Sequence, residues 1–210
     1  QDFLVEMTAS PDWAGRDTLT LIVGDFGMSE DVESGSPGWT HSGAGDLWHI
    51  STNRAWSPGH SWYAGSAAMR EYQNGMDARL VSEAVELGAD AQLVFRHFMD
   101  SELKDSQYAY DGSVVELSVN GGATYLPLAP TGGYPYRIEA GTSLPAGTPC
   151  FAGTGGWQVA TFDLSAYAGQ EVWFRFRFVS DSTKTREGWY VDDVAVYPGT
   201  GDGSWLELQN

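Results

Sequence analysis

The sequence predicts an all-β chain built as an antiparallel sandwich, on three observations. Period-two alternation runs through Leu93, Phe95, His97 and Met99, through Val115, Leu117 and Val119, and through Val172, Phe174, Phe176 and Phe178. Turn residues punctuate these runs. Asn120-Gly121-Gly122, Ala168-Gly169-Gln170 and Asp111-Gly112 supply the conformations that tight reversals need. Helical periodicity is nearly absent, and strands that recur without intervening helices pair antiparallel rather than in βαβ units.

In chain order, residues 1–24 come first as a separate unit. Residues 4–7 and 18–23 alternate on either side of Ser10-Pro11-Asp12-Trp13-Ala14-Gly15, which predicts a β-hairpin. An isolated hairpin is marginal in water, so this one needs a partner. That partner is either the sandwich of its own chain or another domain or subunit, onto which its free edge would add for self-assembly. The start at Gln1, without an initiator Met or an apolar leader, reads as a mature or excised piece of something longer.

Residues 25–198 carry the alternating strands and form the main domain. Within it, residues 131–156 hold seven Gly and three Pro and read as a long excursion of the functional or mobile kind. Trp48, Trp62, Trp157, Trp173 and Trp189 are expected in the sandwich core. Residues 199–210 make an acidic tail that carries Trp205.

Composition narrows the function classes. With 42% hydrophobic residues, 9 Trp, 10 Tyr and 9 Phe, the chain has ample material for a core, which excludes disorder. Eleven basic residues against 28 acidic ones give a net charge of −17. Such a surface repels phosphate backbones and anionic lipid, which excludes nucleic acid and leaves cations, neutral ligands and basic partners. The single cysteine, Cys150, can form no internal disulfide, and no Cys/His spacing suggests zinc. Apolar runs fall far short of the roughly 18 residues that insert into a bilayer. Two lysines, abundant Gly and Trp, and no N-x-S/T sequon fit an extracellular bacterial module.

From residue 25 onward a series of phrases occurs in order: Asp31-Val32-Glu33-Ser34-Gly35 with Gly38-Trp39; Asp46-Leu47-Trp48-His49-Ile50; Gly59-His60-Ser61-Trp62; Leu80-Val81-Ser82; Phe95-Arg96-His97; Asp111-Gly112-Ser113-Val114-Val115-Glu116; and Gly188-Trp189-Tyr190-Val191-Asp192-Asp193-Val194. Together they resemble the MAM-like jelly-roll domain attached to secreted bacterial metalloproteases of the immune inhibitor A type and to other exported proteins. The resemblance spans 25–197. The first hairpin, with Thr8-Ala9-Ser10-Pro11, resembles the end of an Ig-like domain. The resemblance implies jelly-roll topology, a non-catalytic role beside the other domains of a parent polypeptide, and a bound structural calcium ion.

Catalytic machinery is sparse. The four histidines never form HExxH, and neither a G-x-S-x-G elbow nor a phosphate-binding loop occurs. Asp100 and Glu102, just after a strand, are the pair a carbohydrate-active hydrolase would use as acid and base, which keeps that alternative open. In the strand around Asp192 and Asp193, one carboxylate must face inward, where an unpaired charge costs several kcal/mol. Calcium would neutralise it, with Glu33 from the first strand as second ligand and Asp31, Asp46 and Asp193 as lesser candidates. The other reading is a buried Asp held by backbone N–H groups or by Arg175 or Arg177. His97 reads as a hydrogen-bonded core or groove residue; if His97, Glu102 and Asp111 converge, they make a polar spot for a ligand or second cation. Tyr134 and Tyr136 in the excursion, Tyr108 and Tyr110 after Lys104, Trp56 in a turn, and Trp205 present rings suited to stacking on sugar faces. The resulting expectation is a calcium-stabilised binding or assembly module for a glycan or protein ligand.

Overall fold

The computed structural model describes residues 27–197, with the backbone of Thr20–Leu21 and Leu206–Glu207. In chain order the strands are β1 (Thr20–Leu21), β2 (Met28–Glu30), β3 (Thr40–Ala44), β4 (Trp48–Ser51), β5 (Ser61–Ala64), β6 (Asp77–Val81), β7 (Val85–Glu86) and β8 (Gln92–Asp100). They continue as β9 (Tyr108–Ala109), β10 (Gly112–Ser118), β11 (Leu126–Pro127), β12 (Tyr136–Ile138), β13 (Pro149–Cys150) and β14 (Gln158–Asp163). The last three are β15 (Glu171–Val179), β16 (Gly188–Tyr197) and β17 (Leu206–Glu207).

Two sheets make the sandwich. The first runs β11-β10-β15-β6-β3, with β7 also on β15; the second runs β14-β8-β16-β5-β4, with β2 also on β16. A small third sheet, β13-β12-β9, contains a parallel pair, β12 with β9. No helix among the described residues is long and apolar enough to cross a membrane. The expected hairpin over 1–24 and the tail over 199–210 lie outside the described residues, apart from β1, which pairs antiparallel with β17.

Side-chain parity builds the core. On β15, Val172, Phe174, Phe176 and Phe178 are fully buried, while Arg175 and Arg177 point the other way. Phe95 of β8 meets Phe176 edge-on at 5.1 Å, joining the two sheets. Each fully buried ring of this kind contributes about 1.5–3 kcal/mol. Trp48, Trp62 and Trp189 lie in this core, and Trp39 joins them. Trp173 and Trp157 do not, which corrects the expectation. Trp173 is out of phase with Val172 and Phe174 on its strand, so it faces away from the core. Trp157 packs on a separate cluster of Tyr63, Phe98 and Tyr190, on the side of the second sheet away from Trp189 and Val191.

The third sheet corrects another expectation, because 131–156 is not a free excursion. Ile138, Leu144 and Cys150 bury themselves against Val114 and Val179, on the opposite side of β10 and β15 from the main core. Gly112 opens β10 because a Cβ there would lie 2.7 Å from the Phe151 carbonyl oxygen. Cys150 is buried, and that burial pushes its thiol up to about 12.

Candidate functional site

The β9–β12 pairing, with Tyr108 opposite Arg137, gathers three of the predicted ligand residues. Tyr108, Tyr134 and Tyr136 line one cleft of about 310 Å³ with Gln107, Arg137 and Pro149. A larger groove of about 730 Å³ shares Tyr134, Arg137 and Pro149 with it and continues over Leu128, Leu144 and Pro145. Its charged groups are Glu116, Arg177 and Arg137. Cavities of this size hold drug-sized ligands, with apolar walls and a few oriented polar groups.

The rings are fixed by their own contacts. Tyr134 packs edge-on against Phe151 at 4.7 Å, and its hydroxyl accepts the Val115 N–H at 3.0 Å. Burial drives its phenol far above the usual tyrosine range. Arg137 donates to the Gly147 carbonyl at 3.0 Å. Beneath the groove, Arg175 donates to Glu116 at 2.6 Å, and Arg177 binds both oxygens of Asp77 at 2.7 and 2.9 Å. Arg175 also stacks on Tyr125 at 3.8 Å. These guanidinium groups are thus committed to Glu116 and Asp77, and not to Asp192 as one sequence reading allowed.

His97 does not join Glu102 and Asp111. It lies on a neighbouring cleft of about 160 Å³ with Tyr136 and Phe151, and its Nδ1 accepts the Trp189 indole N–H at 3.3 Å. Burial lowers its pKa to about 4. The partner that Glu102 and Asp111 do meet is Asp181: one carboxylate oxygen from each lies within 4.8 Å of the others. Sequence reasoning missed Asp181, Gln107 and Arg137, because all three sit where alternation carries no information.

Trp56 stands apart from the groove, near the outer side of the second sheet. It is 50% exposed, with the Arg96 guanidinium over its ring at 4.1 Å and Trp157 at 6.4 Å. Tyr110 donates its N–H to the Glu102 carbonyl, and Trp205 lies outside the described residues.

The other predicted metal ligands are placed as follows. β2 pairs with β16, so first and last strands of the sandwich do adjoin. The register of β16 shifts between Asp192 and Ala195, with Asp193 at φ 46°, which lets Val191 and Val194 both reach the core. Asp192 Oδ2 accepts the N–H groups of Trp56 and Ser57 at 2.6 and 3.2 Å, and Oδ1 accepts that of Asp193 at 2.8 Å. Glu33 accepts the N–H and the imidazole Nδ1 of His60, both at 2.9 Å. Both carboxylates therefore already have donors, and no orphaned oxygen there calls for an ion. Asp31 accepts the Glu33 N–H, Asp46 meets His41 Nδ1 at 2.6 Å, and Asp193 lies 3.7 Å from Arg96. Asp100 is engaged by the Thr154 hydroxyl at 2.8 Å, and Glu102 by Lys184 at 2.9 Å.

No family model matches the chain. It is 26% identical over 176 residues to Bacillopeptidase F of Bacillus subtilis, which takes in 81% of this chain and 10% of that protein. It is 49% identical over 41 residues to the pre-pro-metalloprotease PrtV of Vibrio cholerae, 20% of this chain and 4% of that one. The chain thus matches a tenth or less of the length of these relatives. Among solved structures it is similar to the K1 cleaved adhesin domain of Lys-gingipain from Porphyromonas gingivalis W83, with TM-score 0.51 and 20% identity, covering 82% of this chain and 98% of that one. It is also similar to the CBM22-1–GH10 modules of xylanase 10B from Clostridium thermocellum, with TM-score 0.50 and 11% identity, covering 85% of this chain and 29% of that one. What these likenesses establish is the fold: an all-β antiparallel sandwich of the type seen in adhesin and carbohydrate-binding domains.

Proposed function

We propose that this chain is a non-catalytic, extracellular binding module of a larger exported protein, MAM-like in its jelly-roll, and that it binds an extended glycan. The observation that carries the reading is the convergence of Tyr108, Tyr134 and Tyr136 on one cleft that runs into the larger groove. Rings at the wall of a cleft stack on the C–H faces of sugars, while Gln107, Arg137 and Glu116 offer donors and acceptors to hydroxyls. Support of a weaker kind comes from the xylanase modules of similar fold, whose structure was solved with xylohexaose. Hydrolysis by Asp100 and Glu102 finds less support, since Thr154 and Lys184 engage the two carboxylates.

The test is a titration of the full chain with a panel of soluble oligosaccharides, xylohexaose among them, followed by tryptophan fluorescence and calorimetry. At least one glycan is expected to bind without being cleaved. Tyr108→Ala and Tyr136→Ala should each weaken it about tenfold, the loss of roughly 1.4 kcal/mol of stacking. Binding by no member of the panel, or binding indifferent to both substitutions, would count against the groove.

A further inference from the structure

We infer that Glu102, Asp111 and Asp181 form a binding site for one divalent cation of the calcium type, held where three loop ends meet. The three residues come from separate places in the chain. Glu102 lies two residues past the end of β8, Asp111 immediately precedes β10, and Asp181 lies two residues past the end of β15. Pairing of β10 with β15, Gly112 opposite Val179, brings the last two together. Hydrogen bonds from the N–H groups of Tyr110 and Asp111 to the Glu102 carbonyl, at 3.0 and 3.3 Å, bring in the first.

Proximity of acidic groups alone would mean little on so acidic a protein. The second observation is that Glu102 and Asp111 are buried and Glu102 is incompletely satisfied, while Asp181, half-buried, accepts the N–H and hydroxyl of Thr183 at 2.8 and 3.3 Å. Glu102 is 3% exposed and Asp111 fully buried, and Glu102 Oε2 is a buried oxygen without a hydrogen-bond partner. A buried carboxylate oxygen left without a donor is uncommon, and here it belongs to a carboxylate that has one oxygen within 4.8 Å of an oxygen of each of two other carboxylates. Asp111 accepts the Tyr72 hydroxyl at 2.5 Å and the Asp181 N–H at 2.7 Å, both neutral donors. Among the described residues, the one cation bonded to the trio is Lys184, 2.9 Å from Glu102 Oε1 on a side chain 77% exposed. One solvated ammonium does not balance three carboxylates.

Donor chemistry selects the ion. All three side chains offer oxygen, which suits a hard cation and disfavours zinc or copper. Calcium accepts irregular sets of six to eight oxygens, completed by water or backbone carbonyls, whereas magnesium demands a near-octahedral set. A bound ion would tie together the ends of β8, β10 and β15. Tyr108, on β9, lies between Glu102 and Asp111 in the chain, so the same ion would brace one wall of the groove. That last consequence rests on the glycan-binding reading; the cation site itself does not.

The experiment is calorimetric titration of calcium into the chelator-stripped full chain, with melting curves in parallel. One calcium per chain is expected, with Kd of about 10⁻⁴ M or tighter and a raised melting temperature. Glu102→Gln and Asp181→Asn should each weaken binding at least ~10-fold, with melting in chelator close to that of the parent. Two variants are used so that a folding defect in one leaves the other to decide. Absence of both binding heat and a melting shift in the parent chain would overturn the inference, and so would binding unaffected by either variant. Binding that survives both but vanishes in Glu33→Gln would overturn it too, placing the ion between first and last strands. Loss of calcium binding leaves glycan affinity as a separate readout, so the two proposals fail independently.

Discussion

Two groups of buried acids lie on opposite ends of a scale of compensation. On the outer side of the first sheet, Asp77 and Glu116 are gripped by three guanidinium groups: Arg79, Arg175 and Arg177. At the ends of β8, β10 and β15, Glu102, Asp111 and the half-buried Asp181 face one solvated ammonium, and their other donors are neutral: the Tyr72 phenol, the Asp181 N–H, and the N–H and hydroxyl of Thr183. The difference teaches where arginine can be supplied. Within paired strands the register sets Glu116 directly opposite Arg175, so a charge and its counter-charge are specified together. At strand ends no register exists, and the counter-charge must come from elsewhere.

The largest effect should come from breaking the compensated group. Arg177→Met removes both hydrogen bonds to Asp77 and the positive charge 3.7 Å from Glu116, leaving two mostly buried carboxylates with one arginine each, Arg79 and Arg175. A loss of about 3 kcal/mol is expected, read as a lower urea midpoint at unchanged slope. A smaller change sharpens the contrast. In chelator, Asp77→Asn should cost about 1–3 kcal/mol, while Asp181→Asn should change stability by less than about 1 kcal/mol, because it relieves like-charge crowding as it loses a charge. Equal costs at the two positions would erase the distinction drawn between the groups.

The pH dependence separates Asp77 from His97 by window, and in both windows stability is lost as pH falls. Burial alone would raise the Asp77 carboxyl, but its hydrogen bonds with Arg177 and Arg79 hold it down to about 2. Its folded value lies below the unfolded one of about 3.9, so its contribution is present above that pH and lost as pH falls toward 2. His97, held by burial at about 4, stays neutral in the fold while the unfolded chain takes up the proton near pH 6.5. Stability should therefore fall by about 1–2 kcal/mol between pH 7 and 5 on its account. His97→Gln should flatten the upper window in chemical denaturation curves and leave the lower one, whereas Arg177→Met should do the reverse.

Much of the fold was legible before any coordinates. The runs at 93–99 and 172–178 fall on β8 and β15 and that at 115–117 on β10, with Val119 exposed just past its end, and the alternation correctly assigns Leu93, Phe95, Val115, Leu117, Phe174 and Phe176 to the core. The candidate site was legible only in parts. Tyr108, Tyr134 and Tyr136 were singled out as loop rings, but their meeting depends on a parallel pairing between two short strands that no alternation announces. Glu102 and Asp111 count in the sequence as a polar spot only on condition that they converge with His97, and Asp181 has no local signal at all.

The sequence by itself determined the all-β class, the inward face of each long strand and the lack of sequence-level catalytic motifs, because alternation, turn chemistry and motif spacing are local properties of the chain. Only the tertiary structure decided that Trp157 and Trp173 leave the core, that Arg175 and Arg177 serve Glu116 and Asp77, and that Asp181 completes the acidic trio. Those outcomes depend on which strands pair and in what register, and pairing between residues as far apart in the chain as Glu116 and Arg175 or Asp77 and Val179 is fixed by the whole packed sandwich rather than by any segment of it.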